Sequence, residues 1–310
     1  MRMYRTLSLG AVVLALIVSA CTPGEGGSSP AETEAAAERP SVSMGSAGFY
    51  EAAVVAEIYA QALEAKGYEV ERHLELGERD VVHAAYDAGD INMWPEYLGG
   101  LGTFIEAEGD PDPQTAWDNM QDALAERGLV AFDFSPGSDS DGFAVTQETA
   151  DEHGLTTLTD VAGVADQLVW GLAPGCPENP VCGPGLNEIY GIDISQLEVE
   201  TLSPCSTEMA QALNAGAVQV GQVCTTQPDI QTFNLVVLED DGGLQPAQNM
   251  VPVASQELAD AAPADFAETL NEVTALLTDE ALIALGVQYV NEQMSFEDIA
   301  SQFLSDNGLN

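Results

Sequence analysis

The stretch from Gly48 to Gly102 carries the clearest alternation of hydrophobic and polar positions in the chain. Apolar residues recur at helical spacing, then alternate as in a strand, and the same order follows once more. A short strand ends immediately before Pro95-Glu96-Tyr97. In open α/β sheets the carboxyl ends of the strands form the ligand-binding edge. The predicted elements are a helix ending at Lys66-Gly67, a strand over Tyr68–Leu74, a helix ending at Gly89 and a strand over Ile91–Trp94.

The remaining pattern predicts a second, smaller α/β unit from Phe143 to about Phe233, and a helical carboxyl-terminal part. A Ser-, Gly- and Asp-rich segment, Ser135–Gly142, separates the two units. Strands are predicted near 143–145, 167–172, 197–202 and 217–224, and helices near 113–127, 255–262, 264–277, 279–292 and 295–305.

Several motifs give the chain a family resemblance. They are Phe49-Tyr50-Glu51, Ala62–Val70, Gly77-Glu78-Arg79, Ile91–Gly99, Leu235–Asp241 and Leu244–Val253. On these motifs the chain resembles the osmoprotectant substrate-binding proteins of ABC importers, the glycine betaine/choline receptor family, over nearly the whole mature length.

The resemblance implies a fold and a function. The expected fold is α/β, a two-lobed periplasmic-binding-protein-like (type II) fold with two mixed-sheet lobes, a double-crossing hinge and an interlobe cleft. Lobe 1 is expected over 41–138 and 234–310, and lobe 2 over 139–233. The implied function is an extracytoplasmic receptor, a monomer without a cofactor, that delivers a compatible solute such as choline or glycine betaine to an ABC permease. A binding protein turned sensor is an alternative.

The sequence of the amino terminus is typical of an export signal. An apolar run too short to span a membrane follows Arg2 and Arg5 and ends in Val18-Ser19-Ala20-Cys21, which resembles a lipobox. We expect a lipoprotein signal peptide over 1–20, lipidation of Cys21 at the outer face of the cell membrane, and a flexible tether over 21–40. An ordinary signal peptide with a coincidental cysteine is the alternative.

The charge is strongly negative: 51 Asp and Glu stand against 7 Lys and Arg, and no Lys or Arg follows Arg127. Such a chain has no basic patch to neutralise phosphates, which excludes nucleic-acid binding. The excess of acids indicates either a solvated surface or, as we favour, adaptation to high salt, where screening removes the self-repulsion.

Four cysteines remain after Cys21. An even number in an exported chain favours disulfides, and of three pairings we choose Cys176–Cys182 with Cys205–Cys224. Zinc is the alternative, but the C-x5-C spacing is poor for a ligand set and no His lies nearby.

We find no motif typical of catalysis in the sequence. A secreted acidic α/β enzyme that uses cleft carboxylates such as Glu96 and Asp141 remains an alternative. Asp139, Asp141, Gly142 and Glu148 fit part of a calcium loop, but Gly137 occupies its first position, so no metal is expected.

The candidate ligand-binding residues come mostly from the resemblance. Tyr97 stands where the family has a cage tyrosine, which holds a quaternary ammonium by cation–π attraction. The family's carboxylate clamp and most of its cage have no counterpart, so we expect a cationic or neutral ligand rather than a simple anion. The further candidates are Tyr50, Trp94 and Phe143 as walls, Ser206, Thr207 and Thr225 as hydroxyl donors, and Asp141 at the place of another cage tyrosine.

Overall fold

The computed structural model describes residues 39–309. The predicted signal peptide, Cys21 and nearly all of the predicted tether lie outside these residues.

Residues 39–309 contain ten strands, which form two five-stranded sheets. They are β1 Val42–Gly45, β2 Val70–His73, β3 Met93–Tyr97, β4 Leu129–Ala131, β5 Asp141–Thr146, β6 Val169–Leu172, β7 Glu198–Thr201, β8 Val220–Cys224, β9 Leu235–Val237 and β10 Met250–Ser255.

The helices surround the sheets, and short 3-10 turns stand at 165–167, 176–178 and 194–196. The helices are α1 Tyr50–Ala65, α2 Arg79–Ala88, α3 Leu98–Phe104, α4 Pro113–Glu126, α5 Gln147–His153, α6 Leu158–Ala162, α7 Gly183–Tyr190, α8 Thr207–Asn214, α9 Asp229–Thr232, α10 Gln256–Ala261, α11 Asp265–Thr274, α12 Asp279–Val290 and α13 Phe296–Asn307.

Both sheets are mixed, as expected. The first has the order β2-β1-β3-β10-β4, in which β1 is parallel to β2 and β3, and β10 is antiparallel to β3 and β4. The second has the order β7-β6-β8-β5-β9, in which β6 is parallel to β7 and β8, and β5 is antiparallel to β8 and β9. In each sheet four strands therefore run in the same direction, with β10 or β5 running against them, and the carboxyl ends of the four share one edge.

The first lobe is built around α1. Ala52–Ile58 is apolar except for Glu57, and this stretch is fully buried against α11, α12 and α13. The Tyr59 hydroxyl lies 2.7 Å from the Thr274 Oγ1, so its polar end is satisfied within the core. Burial on nearly all sides fixes the amino end of α1 at the sheet edge.

The chain crosses between the lobes twice. One crossing joins β4 to β5 and the other joins β9 to β10, and the two segments pair through a bridge between Ser138 and Asn249. The predicted return to lobe 1 at residue 234 is wrong, because Leu235–Val237 adds to β5 as the edge strand of the second sheet. The apolar run pairs with a free strand edge before the chain leaves lobe 2.

The strand prediction at the Pro95-Glu96-Tyr97 turn is also wrong in its limits. These residues lie inside β3, since β10 pairs with it through Tyr97. Pro95 faces Pro252 across the ladder, so the two missing N–H donors fall at a single position.

The described residues contain two disulfides, Cys176–Cys182 and Cys205–Cys224. The first closes the Pro-rich loop before α7, and the second joins the end of β8 to the segment that leads into α8.

No single helix of residues 39–309 is both long and apolar enough for a membrane span. By length and composition alone, the pair α11 and α12 would qualify, although the two helices are bent by 83° at the break between them.

Gly137 makes the hinge sensitive to substitution. Its N–H donates to Leu277 O at 2.9 Å, and an added Cβ would stand 2.6 Å from the carbonyl carbon of Thr278. We expect Gly137→Ala to lower the free energy of unfolding by about 1–3 kcal/mol, because backbone must move to admit the methyl group. Urea unfolding measures this. The control is Gly175→Ala, where a Cβ meets nothing within 4 Å. An equal decrease in the free energy of unfolding in both variants would contradict the close packing at Gly137.

Candidate functional site

The carboxyl ends of β1, β2 and β3 form a small pocket at the edge of the first sheet. The loops after β1 and β2 are locked together, since Gly48 N donates to Gly77 O at 2.8 Å and Leu76 N donates to Ser46 O at 3.1 Å. The pocket encloses about 200 Å³. Its lining residues are Ala47, Gly48, Phe49, Gly77, Glu78, Arg79, Pro95, Glu96 and Tyr97.

Tyr97 connects this pocket to a carboxylate that bridges the lobes. Its hydroxyl donates to Glu51 Oε1 at 2.6 Å, and the ring of Phe49 lies 5.7 Å from its own. Thr226, at the end of β8 in lobe 2, donates to Glu51 Oε2 at 2.9 Å. Glu51 is only 3% exposed and Tyr97 7%, whereas Phe49 is 43% exposed. Tyr97 thus lies between the lobe 1 pocket and the Glu51–Thr226 contact with lobe 2, and the more exposed ring of Phe49 lies beside it.

Glu51 holds its proton unusually tightly. Burial, reinforced by the nearby Asp139, raises the pKa of Glu51 to about 8, although hydrogen bonds from Tyr97 and Thr226 favour the ionised form. Burial also raises the pKa of Asp139, and its Oδ1 is buried without a hydrogen-bond partner in residues 39–309. A cation in the cleft would favour ionisation of both groups.

Arg79 is the one Lys or Arg among the residues that line the pocket. Its Nε donates to both carboxylate oxygens of the buried Glu96, at 2.9 and 3.0 Å. Burial opposes ionisation of Glu96, but His83 and Arg79 outweigh it and hold the pKa of this carboxyl below its usual range. The guanidinium also lies against Gly100, where a Cβ would meet Arg79 Nη2. Glycine at this position leaves room for the guanidinium.

Two of the predicted wall residues are core residues instead. Trp94 is 1% exposed and packs against His83 and Tyr86, because it lies on the opposite face of β3 from the Tyr97 contacts. Phe143 is 2% exposed, and its ring meets Trp170 edge-on at 5.8 Å in the core of lobe 2. Both positions satisfy the packing of a sheet face, and neither lines the 200 Å³ pocket, although Phe143 borders a larger cavity at the crossing segments.

Tyr50 occupies a contact between the lobes. Its half-buried ring stacks on Tyr289 of α12 at 5.4 Å. Its hydroxyl lies beside Gly286, next to Pro228 of lobe 2. Burial raises the pKa of Tyr50, as do the charges of Glu51 and Asp139.

The predicted hydroxyl donors of lobe 2 are already engaged. Ser206 caps α8 by accepting from Met209 N at 3.2 Å, and Thr207 lies 3.3 Å from Asp229 Oδ2. Thr225 accepts from Ser140 N at 2.9 Å and donates to Ser138 O at 2.7 Å, which ties β8 to the first crossing segment.

Asp141, the last predicted ligand residue, begins β5 beside the Cys205–Cys224 disulfide. It does not join Tyr97, but it lines a larger cavity at the crossing segments together with Phe143 and Thr225, so the predicted set is divided between two cavities.

Sequence reasoning missed Phe49, Glu51, Asp139 and Thr226 as site residues. The first two stand in a family motif, and Glu51 begins a helix whose next seven residues include only one other polar side chain. An acid at the start of a buried helix is a signal that could have identified it.

Comparisons with known proteins agree on one family. A family model described as the substrate binding domain of ABC-type glycine betaine transport systems matches residues 40–306. The glycine betaine-binding protein YehZ of Escherichia coli (strain K12) is 25% identical over 281 residues, which cover 86% of this chain and 90% of YehZ. The carnitine transport binding protein OpuCC of Listeria monocytogenes is 24% identical over 302 residues, covering 94% and 92%.

Solved structures show the same two-lobed fold. A crystal structure titled glycine betaine/carnitine/choline ABC transporter has a TM-score of 0.79 and 22% identity, covering 86% of this chain and 99% of that one. Apo YehZ of Escherichia coli has a TM-score of 0.76 and 21% identity, covering 87% and 99%.

The raised pKa of Glu51 predicts how stability depends on pH. The folded protein keeps this proton up to about pH 8, whereas the unfolded chain releases it near pH 4.5. Stability from this group is therefore fully present below pH 4.5 and is lost as the pH rises to 8, by an amount on the order of a few kcal/mol. Thermal melting of the ligand-free protein from pH 4.5 to 9 measures the loss.

The matched variant is Glu51→Gln, which resembles the protonated carboxyl and does not titrate. We expect the decline in melting temperature between pH 4.5 and 8 to be clearly smaller in this variant. Parallel profiles for the two proteins would show that Glu51 does not carry the effect.

Proposed function

Because the chain belongs to the family of substrate-binding domains of ABC-type glycine betaine transport systems, we propose that it captures a quaternary ammonium solute between its lobes. The receptor then delivers this solute to the membrane subunits of an ABC importer. Members of this family are binding proteins rather than enzymes. Binding shifts the equilibrium between open and closed lobes by the ligand's preference for the closed form.

The observation that carries the ligand class is the contact between Tyr97 and the buried Glu51, with Phe49 beside them. Aromatic faces attract a methylated ammonium, and a carboxylate that is buried nearby adds a full negative charge once it ionises. A simple anion would meet Glu51 and Asp139 without a free cation to compensate them. The relatives named for glycine betaine and carnitine support the same head group.

Choline and glycine betaine share the ammonium group but differ in the rest of the molecule, which carries a hydroxyl in choline and a carboxylate in glycine betaine. The charges of the pocket decide which of the two is favoured. Arg79 lines the pocket, but its charge is shared with Glu96. This pairing favours the cation, since a ligand carboxylate would compete with Glu96 for the same guanidinium.

The sequence outside the described residues supports an anchored receptor. Lipidation of Cys21 would hold the body at the extracytoplasmic face through the tether over 21–40. A net charge of −44 favours work in high salt, where ions screen the repulsion among the acids.

Isothermal titration calorimetry in molar salt tests the ligand class with choline, glycine betaine, carnitine, ectoine, a polyol and an organic anion. We expect binding of the quaternary ammonium solutes. Binding of the anion with no binding of any quaternary ammonium compound would contradict the proposal. Solution scattering should show a smaller radius of gyration in the bound form.

Phe49 is the exposed aromatic residue of the site, so its removal should weaken binding without loss of the fold. We expect Phe49→Ala to raise the Kd for choline about tenfold, because one cation–π contact contributes about 1–2 kcal/mol. The control is Val199→Ala, a similarly exposed apolar side chain on the edge strand β7. Equal affinities of Phe49→Ala and the unsubstituted protein would place the ligand away from this ring.

The double variant Arg79→Gln, Glu96→Gln tests the role of the guanidinium while it keeps the buried pair neutral. We expect its Kd for choline to change less than threefold, on the order of 0.6 kcal/mol. If the double variant instead weakened the affinity for glycine betaine alone by about tenfold or more, roughly 1.4 kcal/mol, Arg79 would hold a ligand carboxylate. The pocket would then be built for a zwitterion.

A further inference from the structure

A second cavity lies along the crossing segments of the hinge. It encloses about 550 Å³, a volume that falls within the range of small-molecule sites. Its walls come from both lobes: Pro111 and Pro246 belong to lobe 1, while Leu158 and Leu238 belong to lobe 2. We call it the hinge groove.

The hinge groove and the Tyr97 pocket lie on opposite sides of the crossing segments. Ser138 and Ser140 line the groove, whereas Asp139 between them lies beside Thr226 and Glu51. Successive side chains of an extended segment point to opposite faces, which accounts for this division.

The second crossing segment repeats the arrangement. Ala247 and Asn249 line the groove, whereas the Gln248 side chain accepts from Gly100 N at 3.1 Å on the side of the pocket. The groove is therefore a separate cavity and not an extension of the ligand cleft.

The chemistry of the groove is apolar at the walls and acidic at the rim. Phe143, Ile230, Val237, Leu244 and Ile283 supply large apolar surfaces. Its ionisable residues are all acids, with no Lys, Arg or His among the lining residues. They are Asp141, Glu239, Asp240, Asp279 and Glu280.

Some of these carboxylates already have donors. Asp279 Oδ1 accepts from Ser138 N at 2.8 Å, and Asp240 accepts from the backbone N–H groups of Leu244 and Gln245. Glu239 and Glu280 make no side-chain ion pair among residues 39–309. Uncompensated negative charge thus surrounds an apolar cavity.

We propose that the hinge groove is a second ligand site, which binds an organic ammonium ion that carries an aryl or alkyl group. The hydrocarbon part fills the apolar cavity, and the ammonium lies at the rim among the carboxylates. A neutral compound of the same shape lacks the charge attraction, and an anion meets only repulsion. Because the walls belong to both lobes, occupancy is linked to the opening and closing of the cleft.

Three probes of nearly the same shape test whether the groove prefers a cation to a neutral compound or an anion. They are 2-phenylethylammonium, 2-phenylethanol and 3-phenylpropionate. Methyl NMR of the full mature chain reports where they bind. We expect the ammonium probe to shift the methyl signals of Leu244 and Ile283, at concentrations where the alcohol shifts them at least fivefold less and the carboxylate not at all. Signals near Tyr97 should move far less than those of the groove. Equal shifts with all three probes, or shifts confined to the Tyr97 pocket, would overturn the proposal.

Two variants examine the walls and the rim separately. Ile283→Trp fills the groove and should weaken binding of the ammonium probe at least tenfold. The double variant Glu239→Gln, Glu280→Gln keeps the shape of the groove but removes two charges. It should weaken the affinity for the ammonium probe about threefold to tenfold, with a smaller effect in high salt. Unchanged probe affinity in both variants would also overturn it. The NMR map reads the groove directly, so its outcome does not depend on which solute the Tyr97 pocket binds.

Discussion

The hydrogen-bonded Glu51 carboxyl is the interaction on which the arrangement of this protein depends. Glu51 lies in the first turn of α1, the most deeply buried helix of lobe 1. Its carboxyl accepts hydrogen bonds from Tyr97 of its own lobe and from Thr226 of the other. A buried carboxyl that joins two lobes is costly when ionised without a partner and inexpensive when protonated. The lobes therefore meet through a group whose charge depends on what else occupies the cleft. Under the proposed function, ligand capture and lobe contact share one titrating side chain, which links the two events thermodynamically.

The scarcity of basic residues explains why the cleft has so little positive charge to offer. Arg39 is paired with Asp265, Arg72 with Glu57 and Glu64, and Arg79 with Glu96. Each of these pairs holds chain segments together within lobe 1: the start of the described chain on α11, β2 on α1, and α2 on β3. Arg39, Arg72 and Arg79 are thus held in ion pairs within lobe 1, whereas carboxylates and aromatic rings remain available for cations.

The fold was largely predictable from the sequence, and the site only partly so. Long periodic segments such as α1 and the carboxyl-terminal helices are specified by local pattern, and the resemblance supplied the double crossing. The limits of β3 and the membership of Leu235–Val237 depend on pairing with β10 and β5, which are distant in sequence and leave no local signal. The same holds for the site: Trp94 and Tyr97 are both aromatic residues of β3, but only the three-dimensional packing decides that one faces the core and the other faces Glu51. Thr226 becomes a partner of Glu51 only through the hinge.

The crossing segments do more than connect the lobes, because they separate two cavities of different character. On one side Asp139 lies near Glu51 and Gln248 contacts Gly100, and on the other Ser138, Ser140 and Asn249 line the larger apolar groove. The walls of the groove belong to both lobes, so a rotation about these segments changes its width. Thr225 fastens β8 to the first segment through Ser138 and Ser140, and Gly137 holds that segment against the start of α12. These contacts hold the segment to both lobes, so under the two proposals a compound in either cavity acts on the same hinge.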